Sequence, residues 1–497
     1  MEIPRIHGRS RELGLLRTRW DQPAASWGWV VGPPGVGKTA TVLHAGADYR
    51  FVYHRAPPLS DPQQRQALGT SLASIQSEGE GGVTHAPRGS ATPTGKDPST
   101  TGTGPRGGTA TQPDGALPTW EQLFQELVEA SGGPRPTVLV VDDAHRWEEA
   151  RARWAPALDR ALARAREAGT PVHVTLVAPE VPAREAAEPT VPTLTLSPLP
   201  FRSAAPFLPG ATARERLRSY AVFGGLPGVL SLLDPSATLG TNVRRLLLAP
   251  GAPLQNLPLT WLERTFQTPT RYAAILTALA SGEGDWGRVQ AGVPDLSASG
   301  QAGPYLKRLE EVGLVDVRRS LDASPRTRNR RYRIVDPFVA AWFRFVLPLR
   351  ERLALGGGEA LYAASVRPRL AGQAASCFGQ VCRDFMADDA VEKLDANARE
   401  WGSLWGPGYE IPVAGVLASG APFYGALATD DPLDAAAAFG ELDRQVRETR
   451  YGFGRERRLR ILFVPGDAPL TLLREAARRR DALVVTLDDL AGELEPA

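Results

Sequence analysis

Short runs of β-forming apolar residues recur in the first part of the chain, at Trp27–Val31, Phe51–His54, Thr137–Val141 and Val172–Val177. Helical stretches separate them. Strands of this kind, alternating with helices, predict a parallel sheet with crossover helices. Residues 77 to 117 break the pattern, because Gly, Ser, Thr and Pro dominate and large apolar groups are almost absent. Such a segment cannot offset the entropy of ordering, so a mobile insert within the first domain is predicted.

From about 203 to 255 the pattern turns helical around Phe223-Gly224-Gly225-Leu226-Pro227, where Gly-Gly before Pro sets a sharp boundary. Tyr272–Gly282 is amphipathic at helical spacing, and two further helices follow at Trp286–Val293 and in the stretch from Pro304. That stretch runs into a strand ending at Val317, a basic turn spans Arg326–Arg331, and a second strand covers Tyr332–Val335. Three helices with a β-hairpin predict a winged helix. The remainder is predicted as a second α/β unit. Its elements are helix Ala371–Asp384, hairpin Tyr409–Thr429, helix Leu433–Glu448, strand Arg458–Val464, helix Leu470–Arg480 and strand Ala482–Leu487.

Composition narrows the class. With 497 residues the chain is too long for one core of ordinary size. Apolar residues at 42% and charged residues at 23% fit a soluble globular protein, and a net charge of +2 excludes a polycation built around nucleic acid. Lysine occurs only at 38, 96, 307 and 393, so arginine-rich runs reflect a general bias as much as a function. The two cysteines, Cys377 and Cys382, do not form a disulfide framework or a zinc site. Proline and glycine interrupt the longest uncharged stretch, Ile411–Thr429, which excludes a membrane span there. No targeting peptide is evident, and a cytoplasmic setting is expected.

The strongest chemical signal is Gly32-Pro33-Pro34-Gly35-Val36-Gly37-Lys38-Thr39, lying between the strand Trp27–Val31 and the helical Ala40–His44. This is a phosphate loop in its required setting. Gly35 and Gly37 let backbone N–H groups wrap phosphates, and the following helix adds its positive end. Lys38 is expected to reach the β and γ phosphates and Thr39 to ligate magnesium, so the expected ligands are ATP and Mg. The strand Val138–Val141 is followed by Asp142 and Asp143, which places Asp142 to hold magnesium by way of water. Asp143 stands where a glutamate would polarise the attacking water. The missing methylene, a retreat on the order of 1 Å, predicts slow turnover.

With these landmarks the chain resembles the archaeal-type ATPases, P-loop proteins allied to AAA-like and STAND groups that carry a winged helix and a nuclease-like C-terminal domain. The residues carrying the resemblance are Ile6-His7-Gly8-Arg9 with Glu12-Leu13, the phosphate loop, Asp142, Leu196–Phe201, Gly224-Gly225 with Pro227, Tyr332–Phe338 and Trp342–Phe345. The resemblance implies that Ile6 and His7 lie near the adenine and that a lid around Pro227 closes over the nucleotide. It implies a P-loop core at 1–202, a helical lid at 203–255, a winged helix at 256–348 and a restriction-endonuclease-like domain at 349–497. In such nucleases carboxylates gather magnesium at the scissile phosphate. The corresponding helix, Phe378–Arg383 with Gln380, lacks the acid, and Pro412, Ala426 and Ala428 stand at the other expected positions, so that domain is expected to be inactive, with Glu410, Asp430 and Asp431 left nearby.

Basic segments supply the remaining candidates. Arg326, Arg328, Arg330 and Arg331 fall in the expected wing, and Arg455, Arg457, Arg458 and Arg478–Arg480 in the last domain. Either group suits DNA phosphates or a solvated loop. Lys307 and Arg308, in the recognition-helix region, form no cluster for reading base edges. Three readings stay open: a slow or switch-like ATPase, a DNA-binding protein regulated by ATP, and a scaffold whose degenerate nuclease domain grips a protein partner.

Overall fold

The computed structural model describes residues 6–77, 84–85, 117–133, 135–182, 191–293, 301–324, 327, 329–388, 398–428, 434–452, 454 and 458–492. The insert expected at 77–117 falls outside these residues, apart from positions 77, 84, 85 and 117. The chain divides into two compact units, Met1–Gly32 with Lys38–Leu196, and Pro33–Gly37 with Ser197–Ala497.

The first unit is built on a parallel sheet. Its strands are β1 (Ser26–Val31), β2 (Arg50–Arg55), β3 (Thr84–His85), β4 (Thr137–Asp142), β5 (Val172–Ala178) and β6 (Thr193–Thr195), in the order β3-β2-β4-β5-β1-β6. Every residue of β4 and β5 is buried, as suits the apolar run Val138–Val141 and the mostly apolar Val172–Ala178, where His173 and Thr175 interrupt, in central parallel strands. Helices α1 (Ser10–Trp20), α2 (Lys38–Ala45), α3 (Asp61–Ser77), α4 (Trp120–Glu129) and α5 (Arg151–Glu167) complete the unit. Thr119 starts α4 through a reciprocal capping box with Gln122, which satisfies two N–H groups that the first turn would otherwise leave orphaned.

Tryptophans fill one side of this core. Trp147 packs edge-on to Trp120 at 4.7 Å between ring centroids and lies 6.1 Å from Trp154, which in turn meets Trp27 at 5.9 Å. The indole N–H groups find partners: Trp147 donates to Gln64 Oε1 at 3.1 Å, Trp27 to Asp159 Oδ1 at 2.9 Å and Trp154 to the Trp147 carbonyl at 2.9 Å. These three rings are therefore buried without stranding a donor, whereas Trp29 Nε1, in the same core, is buried without a partner.

In the second unit, α6 (Ala213–Phe223) starts from a Thr212–Glu215 capping box and ends at Gly224, whose φ of 64° suits glycine. Helices α7 (Pro269–Leu279), α8 (Trp286–Gly292) and α9 (Gly303–Glu311) accompany a three-stranded antiparallel sheet. Its strands, β7 (Gly284–Asp285), β8 (Val315–Arg319) and β9 (Arg330–Ile334), run in the order β7-β9-β8. The expectation that Arg330 and Arg331 lie in a turn is corrected here: both belong to β9, paired with Arg319 and Arg318. Arg326 and Arg328 lie outside the described residues.

Helix α10 (Leu370–Asp388) leads to a five-stranded mixed sheet of β10 (Ala398–Gly406), β11 (Tyr409–Leu417), β12 (Pro422–Leu427), β13 (Leu459–Val464) and β14 (Ala482–Thr486), in sequential order. The first three strands are antiparallel and the last two join in parallel, with α11 (Ala435–Glu448) and α12 (Leu470–Arg478) in the crossovers. The hairpin read from sequence is thus two strands of five, with β10 ahead of it. Trp405 is buried and Trp401 is 46% exposed.

Among the described residues no helix is long and apolar enough to cross a membrane. Cys377 and Cys382 are both free and buried, and burial pushes both thiols up, away from reactivity.

Candidate nucleotide-binding site

Strand β1 delivers the chain to Gly32, whose N–H donates to the Pro179 carbonyl at 3.3 Å, and α2 begins at Lys38. Gly35 and Gly37 have φ values of 79° and 92°, with Val36 between them. Left-handed residues at that spacing turn successive amides to one side, which is the geometry of an anion nest. Thr39 and Ala40 sit in the first turn of α2, where N–H groups lack intrahelical partners and the helix dipole favours negative charge.

The first unit holds most of the remaining chemistry. Lys38 Nζ donates to the Gly32 carbonyl at 2.6 Å, so the lysine lies back along its own loop. Burial pushes its pKa down to about 8, against the opposing pull of Asp142 and Asp143. Asp142 ends β4 with its carboxylate almost saturated. Its Oδ2 accepts from the Thr39 hydroxyl at 2.6 Å and the Tyr53 hydroxyl at 2.7 Å, while Oδ1 accepts the Asp143 N–H at 2.9 Å. Thr39 and Asp142, separated by 103 residues in sequence, therefore meet directly.

Asp143 differs in kind. It is the one non-glycine residue with positive φ among the described residues, at 57°. Its Oδ2 accepts from Arg55 Nε at 3.0 Å and lies 3.3 Å from Arg146 Nη2, while Arg146 Nη1 anchors to the Ala56 carbonyl at 2.6 Å. Two guanidinium groups thus engage the carboxylate that sequence spacing places nearest an attacking water.

Tyr53, Arg55 and Arg146 were not singled out from sequence. The signal was the strand register, which sets Arg55 opposite Asp142 and His54 opposite Val141. That pairing is visible only once β2 is known to neighbour β4. Ile6 and His7 are half-buried and precede α1, in the first unit.

In the second unit, the loop tip Pro33–Gly37 meets the turn at Pro227, the first residue of the short helix Pro227–Leu230. The Gly228 N–H donates to the Gly35 carbonyl at 3.1 Å. A Cβ on Gly35 would stand 3.3 Å from the Trp261 ring, and one on Gly37 would stand 3.7 Å from Pro227 Cγ. Positive φ keeps both positions as glycine, and at Gly35 the Trp261 ring adds a tight contact, whereas the Gly37 distance is ordinary van der Waals spacing.

Other predicted contacts are committed elsewhere. Arg331 pairs with Glu410 at 2.6 Å and lies over the Trp405 ring at 4.6 Å. Arg479 bridges Asp443 at 2.9 Å and Glu475 at 3.3 Å, and Arg478 lies 3.7 Å from Glu475. Lys307 and Arg308 both approach Glu311. Asp430, Asp431, Arg455 and Arg457 lie outside the described residues.

No family model matches the chain. Over 151 residues, 29% of the chain, it is 26% identical to an uncharacterized protein of Methanocaldococcus jannaschii, and it spans only 32% of that relative's length. The solved structures it is similar to include a Walker-type ATPase of Pyrococcus abyssi, at 15% identity and a TM-score of 0.48, covering 68% of this chain and 96% of that one. Others are Cdc6p of Pyrobaculum aerophilum, at 15% identity and 0.27 over 71% and 96% of the two chains, and Drosophila ORC bound to DNA, at 15% and 0.30 over 68% and 87%. These likenesses are remote, and the site's chemistry stands on its own geometry.

Proposed function

We propose that the chain binds Mg-ATP through Gly32–Thr39 and hydrolyses it slowly, as a nucleotide-dependent switch. The observation that carries this reading is the 2.6 Å hydrogen bond from Thr39 to Asp142, set at the end of a glycine-rich turn beside Lys38. The donor set fits magnesium, since a hydroxyl and a carboxylate, both hard oxygen ligands, already converge. Bound there, the ion would neutralise phosphate charge. Thr39 would hold it directly and Asp142 through water, with Tyr53 fixing the carboxylate's orientation.

Lys38 would exchange its bond to the Gly32 carbonyl for phosphate oxygens, and the loop amides would hold the rest. Asp143 would orient the attacking water only after release from Arg55 and Arg146, because an ion-paired carboxylate is a weak base. That requirement, added to the short side chain, supports slow turnover. In this reading 203–255 acts as a lid, 256–348 as a winged helix and 349–497 as a pseudo-nuclease module that responds to nucleotide state, with Ile6 and His7 beside the base and Pro227 in the lid. The engagement of Arg331 and Arg479 in intrachain ion pairs weighs against DNA as the principal ligand.

The test separates binding from chemistry. Arg55→Ala should raise ATP turnover while leaving ATP affinity within about twofold, as release of a catalytic group alters kcat rather than ground-state binding. Asp142→Asn should remove the magnesium dependence of binding. Magnesium-independent ATP binding by the wild-type chain would overturn the assignment.

A further inference from the structure

Two landmarks of the sequence, the Gly224-Gly225 turn before Pro227 and the segment Tyr332–Phe338, meet inside the second unit at one carboxylate. Asp336, 4% exposed, lies just past the end of β9. Its Oδ1 accepts the Phe338 N–H at 2.9 Å and so caps the short helix Pro337–Ala341. Its Oδ2 accepts the Gly225 N–H at 2.8 Å, from a turn 111 residues earlier in the chain. Burial pushes this carboxyl up to about 6 against the pull of its N–H partners, so it is charged at neutral pH. Capping alone does not require a buried charge, since serine, threonine or asparagine would serve. The bond to Gly225 is what the carboxylate adds.

The turn held in this way has no slack. A Cβ on Gly224 would collide with the Asp336 carboxylate and one on Gly225 with the Leu199 carbonyl, while the Leu199 N–H donates to the Gly225 carbonyl at 2.7 Å. Three residues further on, the Gly228 N–H donates to the Gly35 carbonyl at 3.1 Å. A second line of contacts leaves the same short helix. Phe338, fully buried, meets Trp261 edge-on at 6.1 Å, and the outer ring of Trp261 packs on Gly35.

A trans peptide sets the Gly35 carbonyl and the Val36 N–H on opposite sides, so a carbonyl pinned to Gly228 turns that N–H back into the loop. There it donates to the Pro33 carbonyl at 3.4 Å, a long bond that a phosphate oxygen can replace. We propose that Asp336 is a positioning residue of the nucleotide site, which acts through Gly225 and Gly228 to fix the Gly35–Val36 peptide with its N–H facing the phosphates. The proposal rests on the Mg-ATP reading and extends that site to a buried residue that touches no ligand.

The experiment is calorimetric titration of Mg-ATP into the full-length wild type, Asp336→Asn and Gly228→Ala, each accompanied by a thermal melt. Asparagine keeps the shape but turns one acceptor oxygen into a donor, so affinity should fall about tenfold, the scale of a lost charge-assisted hydrogen bond. Gly228→Ala leaves the bonds of Asp336 in place and sets a methyl group 3.3 Å from the Gly35 carbonyl oxygen, which must then give way slightly. Affinity should fall about threefold or more, scaled from about 100-fold for an ångström of misplacement. The melting temperature should hold or rise, because alanine favours a helix over glycine. A merely structural turn would not lose affinity at undiminished stability. If Asp336→Asn does not fold, Asp336→Ser, which keeps a capping oxygen for Phe338 and loses the bond to Gly225, should show the tenfold fall. Wild-type affinity in the folded Asp336 variant or in Gly228→Ala would overturn this inference and leave the nucleotide reading standing. No saturable binding by the wild-type chain would overturn both.

Discussion

Raising the pH should weaken ATP binding through Lys38 alone. Burial holds this lysine at about 8 instead of the ordinary 10.5 while it is bonded to the Gly32 carbonyl. Phosphate oxygens around Nζ would restore the charged form, so the bound state keeps a proton that the free state loses above pH 8. Affinity is then nearly constant below pH 7 and falls towards one power of ten per pH unit above 8. By linkage the loss between pH 7 and pH 9 is about tenfold, or ~1.4 kcal/mol. The assay is isothermal titration of Mg-ATP from pH 7 to 9.5 in two buffers of different ionisation enthalpy, which also counts the proton taken up. Lys38→Arg, always charged, should give a flat profile whatever its affinity. A flat wild-type profile with no proton uptake would refute the assignment of Lys38 to the phosphates.

Other consequences follow from the first unit. His54, its Nδ1 against Ser71 Oγ at 2.9 Å and its Nε2 buried without a partner, is held neutral, pushed down to about 4 by burial. The folded state therefore binds fewer protons than the unfolded chain below pH 6.5, and stability should fall as pH drops from 6.5 to 4, by up to about 3 kcal/mol. His173 is also pushed down to about 4 by burial and adds to the same segment, so His54→Gln should reduce its slope in urea melts without abolishing it, and an unchanged slope would count against the assignment. Trp147→Ala opens a cavity beneath three aromatic neighbours and should cost about 3–5 kcal/mol in chemical denaturation, while a cost under ~1 would contradict the packing described. Tyr53→Phe removes one of two hydroxyls on Asp142 Oδ2 and should lower stability by about 1–3 kcal/mol, with wild-type stability as the contrary result.

The readable parts of the sequence are those where one residue type answers one physical demand. Glycine at 35 and 37 meets a positive φ, and the largely apolar strands β4 and β5 meet burial on both faces. Asp142 was legible because it follows such a strand. Tyr53 was not, since an aromatic residue near the end of a strand reads as core until β2 is set beside β4. Strand β10 escaped notice because Arg399, Glu400, Gly402 and Ser403 dilute its apolar pattern, and register shifts at Ala398/Glu400 and Gly402/Leu404 disturb the alternation of its faces. Arg330 and Arg331 looked like a turn by charge. Their place in β9 comes from cross-strand pairing and, for Arg331, from the ion pair with Glu410, which local sequence does not encode.

The most direct test of the central claim is equilibrium titration of Mg-ATP into the wild-type chain and into Lys38→Ala. Saturable, magnesium-dependent binding by the wild type and its loss in the variant is the expected result. Equal affinity in the two proteins would contradict the account.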